Sequence, residues 1–222
     1  FIGPLLEEDD GFMRGFRQCL FEHCWFIRRH HAFGSSANNH LIGELAGVYL
    51  IGRLLPFAPE MAGYADWAGR ALRRAARRQI AADGVNREQA IAYHCFSLDF
   101  LLLAGWMGEA AGDPFPAEYW ERLRRGVAFL HDIADGAGNY PAYGDSDSGR
   151  AWWWGDDDAR CVGNYRSLVI GSGPPWLQAR EPCLKWALLG ASAAAAPPCP
   201  QPGLQTVRYP DGGFLIVRSA TG

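Results

Sequence analysis

Residues 193–203, Ala-Ala-Ala-Ala-Pro-Pro-Cys-Pro-Gln-Pro-Gly, divide this sequence into two kinds of chain. Proline lacks a backbone donor and fixes φ, so the alanine run cannot continue as helix through Pro197, Pro198, Pro200 and Pro202. Beyond this linker, Leu204–Tyr209 and Phe214–Ser219 flank the turn Pro210-Asp211-Gly212-Gly213, the pattern of a β-hairpin. Before it, the apolar residues recur at helical spacing. Phe12, Phe16, Cys19, Leu20 and Phe26 mark a helix over 11–31. A loop, Gly34-Ser35-Ser36-Ala37-Asn38, leads to a second helix that Asn38 or Asn39 can cap and that stops before Pro56. A third is expected from Tyr64 to Ala82. The fourth is expected to be capped by Asn86, with Glu88 in its first turn, and to run to Trp106; the fifth spans Pro116 to Ile133. Residues 135–160, rich in Gly, Asp, Tyr and Trp, read as a long structured loop, followed by shorter helices near 161–171 and 181–189.

Helices followed by strands imply segregated layers or domains. The expected division is 1–192 helical, 193–203 linker, and 204–222 the start of a β-domain, with the long helices paired antiparallel and the hairpin packed apart from them. About half of the 222 residues are apolar, enough for a core, and the formal net charge of −3 argues against a nucleic-acid partner. No apolar run reaches the ~18 residues that span a bilayer, so no membrane span is expected. The six cysteines form no Cys-x-x-Cys and no zinc-finger spacing, which points to free, mostly buried thiols. The sequence opens without Met and ends directly after a strand-like segment, which reads as a piece cut from a longer polypeptide.

Three segments carry a family likeness: Ser35-Ser36-Ala37-Asn38-Asn39-His40-Leu41-Ile42-Gly43-Glu44; Gln79 through Asp83-Gly84-Val85-Asn86-Arg87-Glu88-Gln89-Ala90-Ile91-Ala92-Tyr93-His94; and Tyr143-Gly144-Asp145-Ser146-Asp147-Ser148-Gly149-Arg150. In this order they resemble heparinase II/III-type polysaccharide lyases of bacteria, and Asp211–Ser219 is similar to the first strands of that family's sandwich. The resemblance implies a mainly α fold: an incomplete (α/α) toroid of antiparallel helical hairpins followed by the first strands of an antiparallel β-sandwich. It implies β-elimination at a uronic acid, with an acidic polysaccharide or oligosaccharide as substrate and Asn39, His40 and Tyr93 as catalytic groups. It places a further catalytic histidine in the sandwich, beyond the end of this chain, so the 222-residue chain alone is expected to be inactive. No cofactor is expected in these residues, and the resemblance leaves room for a structural metal in the sandwich. It points to the periplasm or secretion and leaves the cytoplasm open.

Each candidate also has a plainer reading. Asn39 can be a helix cap and His40–Glu44 a surface pair four residues apart; alternatively an amide and an imidazole at a helix start mask a carboxylate's charge, with Glu44 orienting His40. Tyr93 can be a core aromatic; as a base it needs its phenolate stabilised, since an ordinary tyrosine titrates near ~10, and His40, His94 or Arg87 could do this. Glu88, His94, Asp145, Asp147, Arg150 and Trp153 are candidates for substrate contact or support, the loop carboxylates being as suited to Asx-turns. Two rivals stand beside the lyase: a glycoside hydrolase on an α/α scaffold using two of Asp83, Glu88, Asp145 and Asp147, and a non-catalytic glycan-binding domain built on Trp152-Trp153-Trp154.

Overall fold

A computed structural model describes residues 10–55, 57–134, 140–146, 151 and 205–218. The linker at 193–203 and the helices expected at 161–171 and 181–189 lie outside the described residues. The elements are α1 (Asp10–His30), α2 (Asn39–Leu54), α3 (Pro59–Gln79), α4 (Ile91–Ala110), α5 (Ala117–Ile133), β1 (Gln205–Tyr209) and β2 (Phe214–Arg218), so the chain is mainly α with a small antiparallel sheet. They belong to two compact units, Phe1–Ala75 with Leu103–Phe115, and Ala76–Leu102 with Pro116–Gly222.

In the first unit α1 and α2 pack on each other, joined through a 3-10 turn at Gly34–Ser36. Asn38 caps α2 by accepting the His40 N–H at 3.1 Å, so the sequence's choice between Asn38 and Asn39 falls on Asn38. Ile42, Leu45, Val48 and Tyr49 of α2 are fully buried with Ala65, Ala68 and Leu72 of α3. Gly52 has no room for a side chain, because a Cβ there would stand 2.7 Å from both the Ala65 methyl and the Met61 carbonyl. The polar edge of this unit is a cluster around Asp113. Its carboxylate takes Arg53 at 2.6 Å, Arg73 at 3.3 Å and the Tyr49 hydroxyl at 3.3 Å, and Arg53 also reaches Asp66 at 2.7 Å. Burial pushes the Asp113 carboxyl up, but the hydrogen bond and charge of Arg53 outweigh it and hold the group below its ordinary range. On α1, Phe12, Phe16, Cys19, His23, Phe26 and His30 follow one another at alternating four- and three-residue steps; Phe12 and Phe26 are more than half exposed.

The second unit corrects two expectations. The fourth helix begins at Ile91, not after Asn86. The Asn86 side chain accepts the Glu88 N–H at 2.9 Å in an Asx-turn, and Gln89 takes φ 55°, so Glu88 lies in a turn before the helix and not in its first turn. α3 stops at Gln79, where the backbone doubles back: Arg87 N–H donates to Gln79 O and Ala81 N–H to Val85 O, both at 2.8 Å. Nor does the hairpin stand apart from the helices. Tyr209 donates its hydroxyl to Asp132 at 2.6 Å. Arg218 donates to the carbonyls of His131 (2.8 Å), Asp132 (3.0 Å) and Ala134. The turn is held as well: Gly212 N–H donates to Asp83 at 2.8 Å, and the Gln89 amide donates to Gly212 O at 3.1 Å. Phe129 of α5 contacts the rings of His94, Tyr209 and Phe214 at 5.0–5.2 Å between centroids, closing the core of this unit.

α4 is long and apolar enough to cross a bilayer by length and composition, although its sequence holds no unbroken apolar run of that length; more than half of that stretch is buried within the protein. Cys19, Cys24 and Cys95 are free thiols. Cys24 is buried, which raises its pKa to about 11, whereas Cys19 is exposed.

Candidate functional site

The residues singled out by sequence divide between the two units. Asn39 and His40 open α2 in the first, and Tyr93 stands in the first turn of α4 in the second. Asn39 is only 6 % exposed, while His40 beside it is open to solvent. Glu44, one turn along, does not orient His40. Its carboxylate accepts the Ala32 N–H at 2.7 Å, because the backbone donor of the segment after α1 needs an acceptor and Glu44 is the side chain within reach.

Tyr93 is half-buried. Its neighbour His94 is 1 % exposed, with both ring nitrogens engaged: Nδ1 accepts the Asn86 N–H at 3.2 Å, so Nε2 carries the proton and donates to Gly126 O at 3.0 Å. Burial holds this imidazole neutral and pushes its pKa down to about 4, against the opposing pull of the Gly126 carbonyl. With no nitrogen left for a sugar, His94 ties the turn at Asn86 and helix α5 to α4, the helix that carries Tyr93. Around it the backbone is in close contact. Gly84, at φ 101°, lies against Arg125 and Gly126, and a Cβ on Gly126 would stand 3.1 Å from Leu98 and 3.4 Å from His94 Nε2. The sequence marks Asn86 as a cap and Asp83 as a candidate carboxylate, but not the network that they form with Gln89. The local signal was Asn86-x-x-Gln89 ahead of a helix, but its partners are remote in the chain.

α4 also receives the segment 140–146. Ile91 N–H donates to Tyr143 O at 3.1 Å, and Gly144, at φ 75°, rests on Gln89 and Ala90 without space for a side chain. Asp145 is exposed and accepts the Ser146 N–H at 3.1 Å. Glu88 is half-buried in its turn. Asp147, Arg150 and Trp153 lie outside the described residues. Among the described residues no group of three His, Cys, Asp or Glu side chains could hold a metal ion.

The arrangement puts two kinds of chemistry at helix starts: an amide with an imidazole on α2, and a phenol on α4. The family description Heparinase II/III N-terminus matches residues 7–156, about two thirds of the chain. The chain belongs to the heparinase II/III N-terminal family. Among solved structures it is similar to a heparinase III with methylated lysines, with a TM-score of 0.59 at 17 % identity over 87 % of this chain. That likeness is one of fold. The chain spans 27 % of the length of that heparinase III. No curated protein matches it. Membership of the heparinase II/III family makes the chain a relative of polysaccharide lyases.

Proposed function

We propose that this chain is part of the helical region of a polysaccharide lyase that cleaves a uronic-acid-containing polysaccharide by β-elimination. One observation carries the reading: in a member of the heparinase II/III family, both candidate groups stand in the first turn of a helix, Asn39 and His40 on α2 and Tyr93 on α4. Helix N-termini present unpaired N–H groups and a positive partial charge, which suits a carboxylate and the enolate-like intermediate it becomes. In this reading Asn39 and His40 mask the uronate carboxylate. Tyr93 takes the C5 proton, the C4–O bond breaks as the C4=C5 double bond forms, and the leaving glycosidic oxygen receives a proton. No water is consumed. The reading requires the amide, the imidazole and the phenol to act on one sugar ring, since carboxylate masking and proton abstraction act on adjacent atoms. His94 and the Asn86 turn then fix the start of α4, and Glu44 fixes the entry to α2.

The helices would form part of an (α/α) toroid, and the hairpin would be the first two strands of a β-sandwich. The exposed apolar side chains of Leu215 and Val217, on the face of β2 away from α5, support a continuing layer there, and the stripe of Phe12, Phe16 and Phe26 on α1 supports another helix against it. The test is the full-length protein with a panel of uronic-acid polymers, followed by the ultraviolet absorbance of the unsaturated product. Tyr93→Phe should lower turnover by more than about 100-fold, in line with loss of a general base, while substrate still binds. New reducing ends without that absorbance would replace the lyase with a hydrolase, and binding with no bond cleavage would leave a glycan-binding protein.

A further inference from the structure

Tyr143 is an aromatic side chain that the fold holds in place and yet leaves open. The residue is 47 % exposed. Three other tyrosines, Tyr49, Tyr119 and Tyr209, are buried and spend their hydroxyls on Asp113, Leu101 O and Asp132 respectively; the Tyr143 hydroxyl makes no such bond among the described residues. The backbone around it is fixed on both sides. Tyr143 O accepts the Ile91 N–H at 3.1 Å, Tyr143 N–H donates to Pro141 O at 2.9 Å, and Gly144 is seated on Gln89 and Ala90. The ring meets Phe214 at 5.3 Å and 74°, and Phe214 in turn meets Phe129 at 5.1 Å. An exposed aromatic backed by other rings has lost most of its rotamer freedom before any ligand arrives, which lowers the entropy cost of binding.

Its position gives this a purpose. Ile91 is the first residue of α4 and Tyr93 lies two residues on, about 3 Å further along the helix axis at ~1.5 Å per residue. All of these residues belong to one compact unit. A pyranose ring presents an apolar face of C–H bonds that packs on an aromatic ring, while its hydroxyls stay with water or with a nearby acceptor. Asp145, exposed two residues after Tyr143, offers such an acceptor, one of its oxygens being already on the Ser146 N–H at 3.1 Å.

We infer that Tyr143 is a sugar-stacking platform, taking the pyranose ring next to the one Tyr93 serves on the same polysaccharide chain. The inference rests on the lyase reading for the identity of the ligand, and its test separates the two. The protein is the full-length enzyme, and the probe is a size-defined oligosaccharide of whichever uronic-acid polymer the wild type cleaves. Equilibrium binding is measured in the Tyr93→Phe background, where turnover does not interfere, and steady-state kinetics are measured in the wild-type background. Tyr143→Ala should weaken binding and raise KM by about tenfold, with a much smaller effect on kcat. Tyr143→Phe and Tyr143→Trp, which keep a ring, should remain within about twofold of the parent. Tyr143→Leu keeps an apolar contact for Phe214 without an aromatic face and should behave like Tyr143→Ala, which guards against a folding defect in the alanine variant. Wild-type affinity in Tyr143→Leu, or a loss in Tyr143→Phe as large as in Tyr143→Ala, would overturn the platform. Elimination that survives Tyr93→Phe would instead overturn Tyr93 as the base, and the absence of cleavage of every uronic-acid polymer would overturn the lyase reading.

Discussion

His94→Gln is the substitution that tests the second unit most directly. In the folded chain His94 is neutral, its Nδ1 taken by the Asn86 N–H and its Nε2–H by Gly126 O. Burial disfavours the charged form, and protonation would also place a second N–H against a backbone N–H, so the pKa falls from the ordinary 6.5 to about 4. Above the ordinary value, folded and unfolded chains are both neutral at this residue and the full stabilisation is present. Between 6.5 and 4 the unfolded chain binds a proton that the folded one refuses, so stability falls as pH falls, until the folded form also titrates near 4. At about 1.4 kcal/mol for each tenfold in proton affinity, the whole loss is about 3 kcal/mol. The carboxylates of Asp113 and Asp132 are both held below the ordinary 3.8, so their own contributions are lost below this window. The assay is denaturant unfolding across it, with hydrogen exchange of α4 and α5 amides as a local readout. His94→Gln should be less stable than wild type near neutrality, because the Asn86 N–H loses its acceptor, yet it should lack about 3 kcal/mol of the acid-induced decline. An unchanged pH slope in the variant would refute a buried neutral His94.

Two further substitutions address packing and charge. Gly84→Ala forces a side chain into the backbone of Arg125 at a positive φ and should lower stability by about 3 kcal/mol or more, read as a fall in the unfolding midpoint. Asp113→Ala leaves Arg53 and Arg73 without their shared carboxylate; Asp113 is 37 % exposed, so water replaces part of the interaction, and the expected cost by thermal unfolding is about 1–2 kcal/mol, smaller at high salt.

The parts of the fold visible in the sequence were those with local causes. α1, α2, α5 and the hairpin fall within a residue or two of their expected spans, because apolar periodicity, Asn38, Pro116 and the Pro-Asp-Gly-Gly turn are all near neighbours of what they determine. α3 starts five residues earlier than expected, at Pro59-Glu60, a start signal that the arginine-rich middle of the helix obscured. The start of α4 was misread because its controls are distant. Asn86-x-Glu88 has the composition of a cap, but the Asn86 N–H is taken by His94, and the first N–H of the helix is taken by Tyr143, which is 52 positions away. The same holds for the candidate site. Asn39, His40 and Tyr93 are candidates supplied by the family resemblance, whereas the burial of His94 and the engagement of Glu44 with Ala32 depend on contacts that no spacing rule reports.

The hairpin turn has a consequence for how this chain can vary and be altered. Turns of this kind ordinarily tolerate extra residues, and they are the usual place to insert a tag or open new termini. Here both backbone groups of Gly212 are committed, the N–H to Asp83 and the carbonyl to Gln89, and Val85 occupies the space where a side chain would go. A residue inserted between Tyr209 and Phe214 would break those bonds or shift the strand register, and so release Gln89 from the interaction that helps hold its φ of 55°. Length variation should therefore be excluded from this turn, although it lies at the tip of a two-stranded ribbon, and a label meant to leave the start of α4 undisturbed belongs elsewhere.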